Sequence, residues 1–133
     1  MPLSVAFSFT KLVVHDLEKL SAFYREAYGL HAVKRVRGER IGEEEIDEIM
    51  LAADPEAPFG TFVLLKYLGR APSPTGELLL GFVTDDLPAL LDRVRAKGGG
   101  VHAPIREMPA LGLRVAFATD PEGHVAELVQ LLS

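Results

Sequence analysis

The hydrophobic pattern changes its period early in the chain. Residues 5–14 (VAFSFTKLVV) alternate and are rich in β-branched and aromatic side chains, which predicts a strand. From Asp16 onward the apolar residues instead recur at helical spacing, which predicts a helix with Asp16 as its N-cap and Gly29 as its end. The apolar side of this predicted helix is formed by Leu17, Leu20, Phe23, Tyr24 and Ala27.

The same strand–helix pattern occurs a second time at residues 79–101 (LLGFVTDDLPALLDRVRAKGGGV). Asp86 is the predicted N-cap there, Pro88 suits the first turn, and the glycines that follow Lys97 end the helix. A shift of 70 residues places Asp16 on Asp86 and Gly29 on Gly99. We therefore predict that one structural unit occurs twice in the chain, although the two copies share few identical residues.

Three further strands are predicted after each helix. In the first half they are residues 31–37, 46–53 and 61–68, and in the second half residues 101–105, 113–119 and 124–132. The acidic segment 43–47 could instead open a short helix, and the run GEEEIDE at 42–48 could be a solvated segment or a lip over a site. The segment GRAPSPTGE at 69–77 is typical of a linker.

These elements predict an α+β fold in a single domain, residues 1–133. Module one would comprise residues 1–68 and module two residues 78–133, each with the element order β-α-β-β-β. With one helix per module, we expect a curved mixed sheet that forms a cup, with the helices on its outer face.

Composition excludes several classes of site. The chain has 133 residues, of which 48% are hydrophobic, so it can bury a core. It has no cysteine, which excludes disulfides and thiolate metal sites, and its net charge of −5 gives no basic footprint for nucleic acid. No apolar run is long enough for a membrane helix, and the N-terminus lacks a secretion leader, so we expect a cytoplasmic protein.

Two stretches carry a family resemblance. DLEKLSAFYREAYGL and PALGLRVAFATDPEGHVAELVQ resemble the first helix and last hairpin of the vicinal oxygen chelate superfamily, which includes glyoxalase I, extradiol dioxygenases and bleomycin-resistance proteins. The second stretch is most similar to lactoylglutathione-lyase-like members. The resemblance implies a cup built from paired modules and a homodimer. It also implies, in metal-dependent members, His or Glu ligands on the first and last strand of each module.

The residues at those four positions do not suit a metal. By the resemblance they are Phe9, Leu64, Leu79 and Glu127, so Glu127 alone could donate an oxygen. A bound divalent metal takes about three or four protein ligands. We therefore predict no metal site and no other cofactor.

The alternation of strand side chains decides where Glu127 points. If it faces the cup, so do Val125 and Val129. A hairpin with Thr119 opposite His124 would place Arg114 on the same face as Glu127. The predicted ligand-binding residues of the cup are Phe9, Lys11, Phe62, Leu64, Lys66, Leu79 and Arg114.

Three functions fit this predicted cup. The first is metal-free binding of a small, partly apolar, anionic ligand. The second is a lyase or isomerase of the lactoylglutathione-lyase type in which Glu127 is the general base. The third is a structural dimeric module without a ligand. For Glu127 itself, a structural ion pair and a solvated position are the alternatives to a functional role.

Overall fold

The computed structural model describes residues 6–58, 60–74 and 77–132. Its two helices are α1 (Leu17–Tyr28) and α2 (Leu87–Ala96), and a short 3-10 helix spans Pro109–Leu111. The eight strands form two four-stranded mixed sheets, which confirms the α+β prediction. The strands are β1 (Thr10–Val13), β2 (His31–Ile41), β3 (Glu44–Ala52), β4 (Phe62–Tyr67), β5 (Leu79–Val83), β6 (Gly100–Met108), β7 (Leu113–Thr119) and β8 (Val125–Leu131).

The two sheets have the same topology. Their strand orders are β1-β4-β3-β2 and β5-β8-β7-β6. In each sheet the first and last strand of the repeat pair in parallel, and the other neighbours pair antiparallel. The repeat inferred from hydrophobic spacing is therefore a repeat of topology.

The chain divides into two compact units that do not follow its two halves. The first unit comprises Met1–Leu17 and Leu30–Pro72 and holds the sheet β1-β4-β3-β2. The second comprises Glu18–Gly29 and Ser73–Ser133, so it holds the other sheet and both helices. Each half of the sequence contains one helix, as predicted, but α1 groups with the sheet of the second half.

Specific contacts hold α1 in the second unit. The Tyr28 ring stacks on Phe82 of β5 with 4.1 Å between ring centroids. The Arg93 Nε of α2 donates a hydrogen bond of 3.2 Å to the Ala27 carbonyl. Aromatic side chains near the end of α1 therefore find their partners on β5, and the helices also meet through a polar contact.

The helix ends follow from sequence. Asp86 caps α2, as predicted, and its Oδ1 accepts a hydrogen bond of 3.1 Å from the Ala89 amide. Gly29 ends α1 with φ +71°, and Gly98 follows α2 with φ +102°. Gly98, rather than the predicted Gly99, is thus the conformational counterpart of Gly29, since α2 is shorter than α1.

The acidic segment 43–47 does not open a helix: Glu43 lies in a turn, and residues 44–47 belong to β3. β2 and β3 form a long hairpin in which Ile41 pairs with Glu44, and Gly42 turns the chain with φ +62°. A left-handed glycine at this position favours a tight hairpin over a helix start. The predicted first strand is shorter than expected, Thr10–Val13, and its residue 5 lies outside the described residues.

Within the described part of the chain, neither helix has the length and apolarity needed to cross a membrane.

Candidate functional site

One face of the second sheet is apolar and exposed. On β8, Ala126 and Leu128 are buried, whereas Glu127 between them is half-exposed. On β5, Leu79 and Val83 are 59% and 72% exposed. Since alternate residues share a face, these side chains point away from the side that α1 covers. We call this surface the open face; it comprises Leu79, Gly81, Val83, Phe117, Val125, Glu127 and Val129.

Glu127 lies at the centre of the open face. It pairs with Gly81 on β5 and with Phe117 on β7, and Val125 and Val129 flank it along β8. Among the described residues, no hydrogen bond or ion pair to its carboxylate occurs. Val125 and Val129 share its face, as the alternation of strand side chains requires. A carboxylate among hydrocarbon side chains is partly desolvated and has no protein counter-charge.

Gly81 leaves space beside the carboxylate. A Cβ atom built at this glycine would meet no heavy atom within 4 Å. The surface next to Glu127 is therefore bare backbone on one side and the Phe117 side chain on the other. Such a position permits close approach of a small molecule.

The predicted cations are engaged elsewhere. Lys11 forms an ion pair of 2.5 Å with Glu48 of β3. The Lys66 Nζ donates a hydrogen bond of 2.6 Å to the His15 carbonyl. Arg114 pairs with Glu107 at 3.2 Å. Each of the three predicted cations therefore has a partner within the protein.

The predicted register of the last hairpin is wrong by one residue. Thr119 pairs with Val125, not with His124, and Arg114 pairs with Gln130. The turn explains the difference, because the Asp120 amide donates to the His124 carbonyl at 3.0 Å and so keeps His124 within the turn. Arg114 consequently lies on the face opposite to Glu127.

A similar one-residue difference affects the first sheet. β1 pairs with β4 so that Lys11 is beside Val63 and Leu12 is beside Leu64. The prediction that Lys11 shares a face with Phe62, Leu64 and Lys66 is therefore wrong. The equivalent pair in the second sheet is Gly81 with Glu127. Val63, rather than Leu64, is thus the topological counterpart of Glu127.

The correction does not create a metal site. Val63 is a hydrocarbon like Leu64, and Phe9 and Leu79 also carry no donor atom. Over the described ranges, no group of three or more His, Cys, Asp or Glu residues is placed to hold a metal ion. Because a protein-bound metal takes about three or four protein ligands, the residues of this chain do not fit the metal of its metal-dependent relatives.

Glu48 is a residue that sequence reasoning missed. Its side chain is only 6% exposed, and it pairs with Lys11, whose side chain is 33% exposed. Lys11 also lies over the Phe9 ring, with 5.7 Å from Nζ to the centroid. The available signal was the position of Glu48 between Ile46 and Met50 on one strand face. A buried acid at such a position needs a cation.

A second missed feature is the network around the DPEG turn. The Tyr24 hydroxyl of α1 donates to Asp120 Oδ2 at 2.7 Å, and His124 Nδ1 lies 2.7 Å from the same oxygen. Asp120 Oδ1 accepts from the Glu122 and His124 amides. Burial, with Asp120 second, raises the pKa of Tyr24 far above its ordinary value. Each oxygen of Asp120 is satisfied within the protein, so the network anchors α1 to the turn.

The acidic segment borders a shallow cavity in the first unit. The cavity has a volume of about 620 Å³ and includes Arg40, Glu44, Tyr67 and Arg70 in its lining. Arg70 pairs with Glu44 at 2.6 Å and stacks over Tyr67 at 3.7 Å. The hydrogen bond from Arg70 lowers the pKa of Glu44. Because these exposed charges neutralise each other, the cavity is a weaker candidate than the open face.

Comparison with known proteins identifies the family. Residues 6–128 match the model of the Glyoxalase/Bleomycin resistance protein/Dioxygenase superfamily. A lactoylglutathione lyase of Arabidopsis thaliana is 32% identical over 119 residues, which are 88% of this chain and 41% of that protein. A probable lactoylglutathione lyase of Vibrio parahaemolyticus is 30% identical over 131 residues, covering 91% of this chain and 87% of that protein.

Solved structures share the fold. A glyoxalase family protein from Bacillus cereus has a TM-score of 0.77 at 19% identity and covers 100% of this chain and 97% of that one. The trypanothione-dependent glyoxalase I of Leishmania major has a TM-score of 0.72 at 20% identity, with 96% and 87% covered. The chain spans less than half of the Arabidopsis relative. The chain belongs to the glyoxalase/bleomycin resistance protein/dioxygenase superfamily.

Proposed function

We propose that the chain binds a small, partly apolar organic ligand on the open face, with Glu127 as its polar anchor and without a metal. The observation that carries the proposal is a carboxylate to which the described residues offer no partner, among exposed aliphatic side chains of which Leu79 and Val83 are the most exposed. Apolar residues with a few convergent polar groups are typical of the lining of small-molecule sites. On the same proposal the protein acts in the cytoplasm, as its lack of cysteine suits.

Binding is tested with a neutral probe, 1-hexanol, titrated into the full chain while backbone amide resonances are followed by NMR. We expect saturable shifts at Gly81, Phe117 and Glu127. Leu79→Ser removes exposed apolar surface from this face and is expected to weaken binding. Shifts confined to other residues, or none at saturation, would contradict the proposal.

The proposed binding function needs no metal, in contrast to the function that the family resemblance implies for metal-dependent members. Three of the four positions carry hydrocarbon side chains, so we expect substoichiometric zinc and nickel by elemental analysis after exposure to either ion. We also expect no conversion of the glutathione–methylglyoxal hemithioacetal with or without these ions. Stoichiometric metal together with turnover would refute the metal-free proposal.

A second candidate is a metal-free lyase or isomerase. The same carboxylate favours it, because a half-buried acid without a partner is available to accept a proton. If the hemithioacetal turns over in metal-free protein, Glu127→Gln should abolish turnover while it leaves the affinity nearly unchanged. Unchanged turnover in this variant would exclude Glu127 as the base.

We also propose a homodimer. Apolar residues outside the open face, among them Leu111 and Leu68, are 64% and 47% exposed, and a contact with a second copy would remove them from water. Sedimentation equilibrium should give twice the chain mass of 14.5 kDa. If the dimer covers the open face itself, Val83→Lys should dissociate it and 1-hexanol should fail to reach Glu127, which would favour the structural module over ligand binding.

A further inference from the structure

We infer that the ligand of the open face is an organic cation with an apolar body, such as a primary ammonium, whose charge is held by the Glu127 carboxylate. The inference rests on the proposed function and names its ligand class. It reverses the charge expected from sequence, where Lys11, Lys66 and Arg114 suggested an anion.

The neighbours of Glu127 on the open face are uncharged. Its two cross-strand neighbours are Gly81 and Phe117, and its neighbours along the same face of β8 are Val125 and Val129. None of these residues is ionisable, and within the described ranges nothing pairs with the carboxylate. A partly desolvated acid repels an anion and attracts a cation.

The basic residues of the same sheet do not compensate Glu127. Arg114 is the nearest candidate on β7, but its register partner is Gln130, so it belongs to the opposite face. There it pairs with Glu107 at 3.2 Å. The charge of the open face therefore comes from Glu127, and a bound cation would supply the missing counter-charge.

The surroundings of the carboxylate define the rest of the ligand. Gly81 leaves open space directly beside it, which suits close approach of an ammonium group. Val83 and Val129 pair with each other and lie two residues farther along their strands. Successive residues on one strand face are about 7 Å apart, so a short alkyl chain attached to the ammonium would contact both valines. Aliphatic walls of this kind favour an apolar body over a sugar or peptide.

The test compares three compounds of the same length on the full chain: hexylammonium, 1-hexanol and hexanoate. NMR titration monitors the amides of Gly81, Phe117 and Glu127. We expect hexylammonium to bind about tenfold more tightly than 1-hexanol, since its positive charge adds Coulomb attraction to the hydrogen bond that either head group can donate to the carboxylate. Hexanoate should bind most weakly.

Glu127→Gln should remove the preference for hexylammonium and change the affinity for 1-hexanol less than about twofold. Glu107→Gln is the matched control, because Glu107 lies on the same sheet and its partner Arg114 is on the opposite face. It should keep the preference. Glu127→Ala provides a second removal of the charge, in case the glutamine side chain itself perturbs the face.

The failures of the two proposals are distinguishable. Equal affinity for the three compounds at these amides, or a cation preference that survives both Glu127 variants, overturns the inference while ligand binding stands. If no compound shifts the open-face amides, the proposed function fails and the inference fails with it. A preference lost equally in Glu107→Gln would show that net charge, and not Glu127, selects the ligand, which also overturns it.

Discussion

Two equivalent strand pairs differ in where they carry charge. In the first sheet Lys11 lies beside Val63, and in the second Gly81 lies beside Glu127. The lysine is neutralised by Glu48 at 2.5 Å, whereas the described residues offer Glu127 no partner. The repeat thus preserves topology while a few side chains decide whether a charge is neutralised within the protein or available to a ligand.

The two sheets also differ in how deeply the residues around these charges are buried. Val63 and Glu48 are 0% and 4% exposed, in contrast to Leu79 and Val83 on the open face. In the first sheet, the charged pair is therefore part of a packed structure, and its loss should reduce stability. In the second sheet, the charge contributes little to folding, so its loss should affect recognition.

The largest expected effect on stability is at the ion pair between Lys11 and Glu48. Lys11→Ala would leave the Glu48 carboxylate buried without a cation, so we expect the free energy of unfolding to fall by about 3 kcal/mol. Urea denaturation measures it. The double variant Lys11→Met with Glu48→Leu removes both charges and should recover most of the loss. A loss below about 0.5 kcal/mol for Lys11→Ala would mean that the charged pair of the first sheet does not contribute more to stability than Glu127 does in the second.

Two glycines that the shift of 70 residues superposes extend the comparison between the two copies of the repeat. Gly99 lacks room for a side chain, because an added Cβ would collide with the Thr119 carbonyl and lie 2.7 Å from Val94 Cγ1. Gly99→Ala should cost about 2 kcal/mol through overpacking. Gly29 has free space but φ +71°, so Gly29→Ala should cost about 1 kcal/mol. Thermal and urea unfolding of both variants would check the order, and the reverse order would contradict it.

The Tyr24–Asp120 hydrogen bond gives a pH-dependent effect in the second unit. Tyr24→Phe should cost about 1 kcal/mol at neutral pH. Because the folded pKa of Tyr24 is raised, the folded state keeps a proton that the unfolded state loses near pH 10, and stability falls as the pH rises above about 10.

The free energy of unfolding of Tyr24→Phe, measured by urea denaturation, should fall less steeply over this alkaline pH range. Some fall should remain, because burial and then the Asp120 charge raise the pKa of Tyr28 as well. Tyr28→Phe is the comparison variant, since it keeps the Tyr24 contribution. An equally steep fall in Tyr24→Phe would argue against a protonated Tyr24 as the source.

The smallest effect on stability is expected for Glu127. Glu127→Gln removes a half-exposed charge without a protein partner, so the free energy of unfolding should change by less than about 0.5 kcal/mol. Differential scanning calorimetry beside Lys11→Ala makes the comparison direct. A large loss of stability in Glu127→Gln would indicate a structural role for this acid and would weaken the contrast between the sheets.

Much of the fold could be predicted from the pattern of side chains. The period-two and helical spacings located both helices, and β7 was predicted with its observed bounds, residues 113–119. The repeat was visible in the caps and apolar positions, since these depend on local physics alone. Glu127 was singled out from sequence as the one acid in the predicted last strand and as a ligand position in the family resemblance.

Strand registers and long-range pairs could not be predicted in the same way. A shift of one residue reverses every face of a strand, and the turn that keeps His124 out of β8 depends on how Asp120 binds the backbone. The Lys11–Glu48 pair joins residues 37 positions apart, so spacing gives no signal for it. The faces predicted for β4 and β7 differ from the observed ones for this reason.

The placement of α1 has a consequence for how the chain can be divided. A cut in the segment that joins β4 to β5 would separate the two copies of the repeat, yet it would leave Tyr24 and Tyr28 on one fragment and their partners Asp120 and Phe82 on the other. Neither fragment would then contain a complete second unit. The two copies of the repeat and the two compact units of this protein therefore have different boundaries.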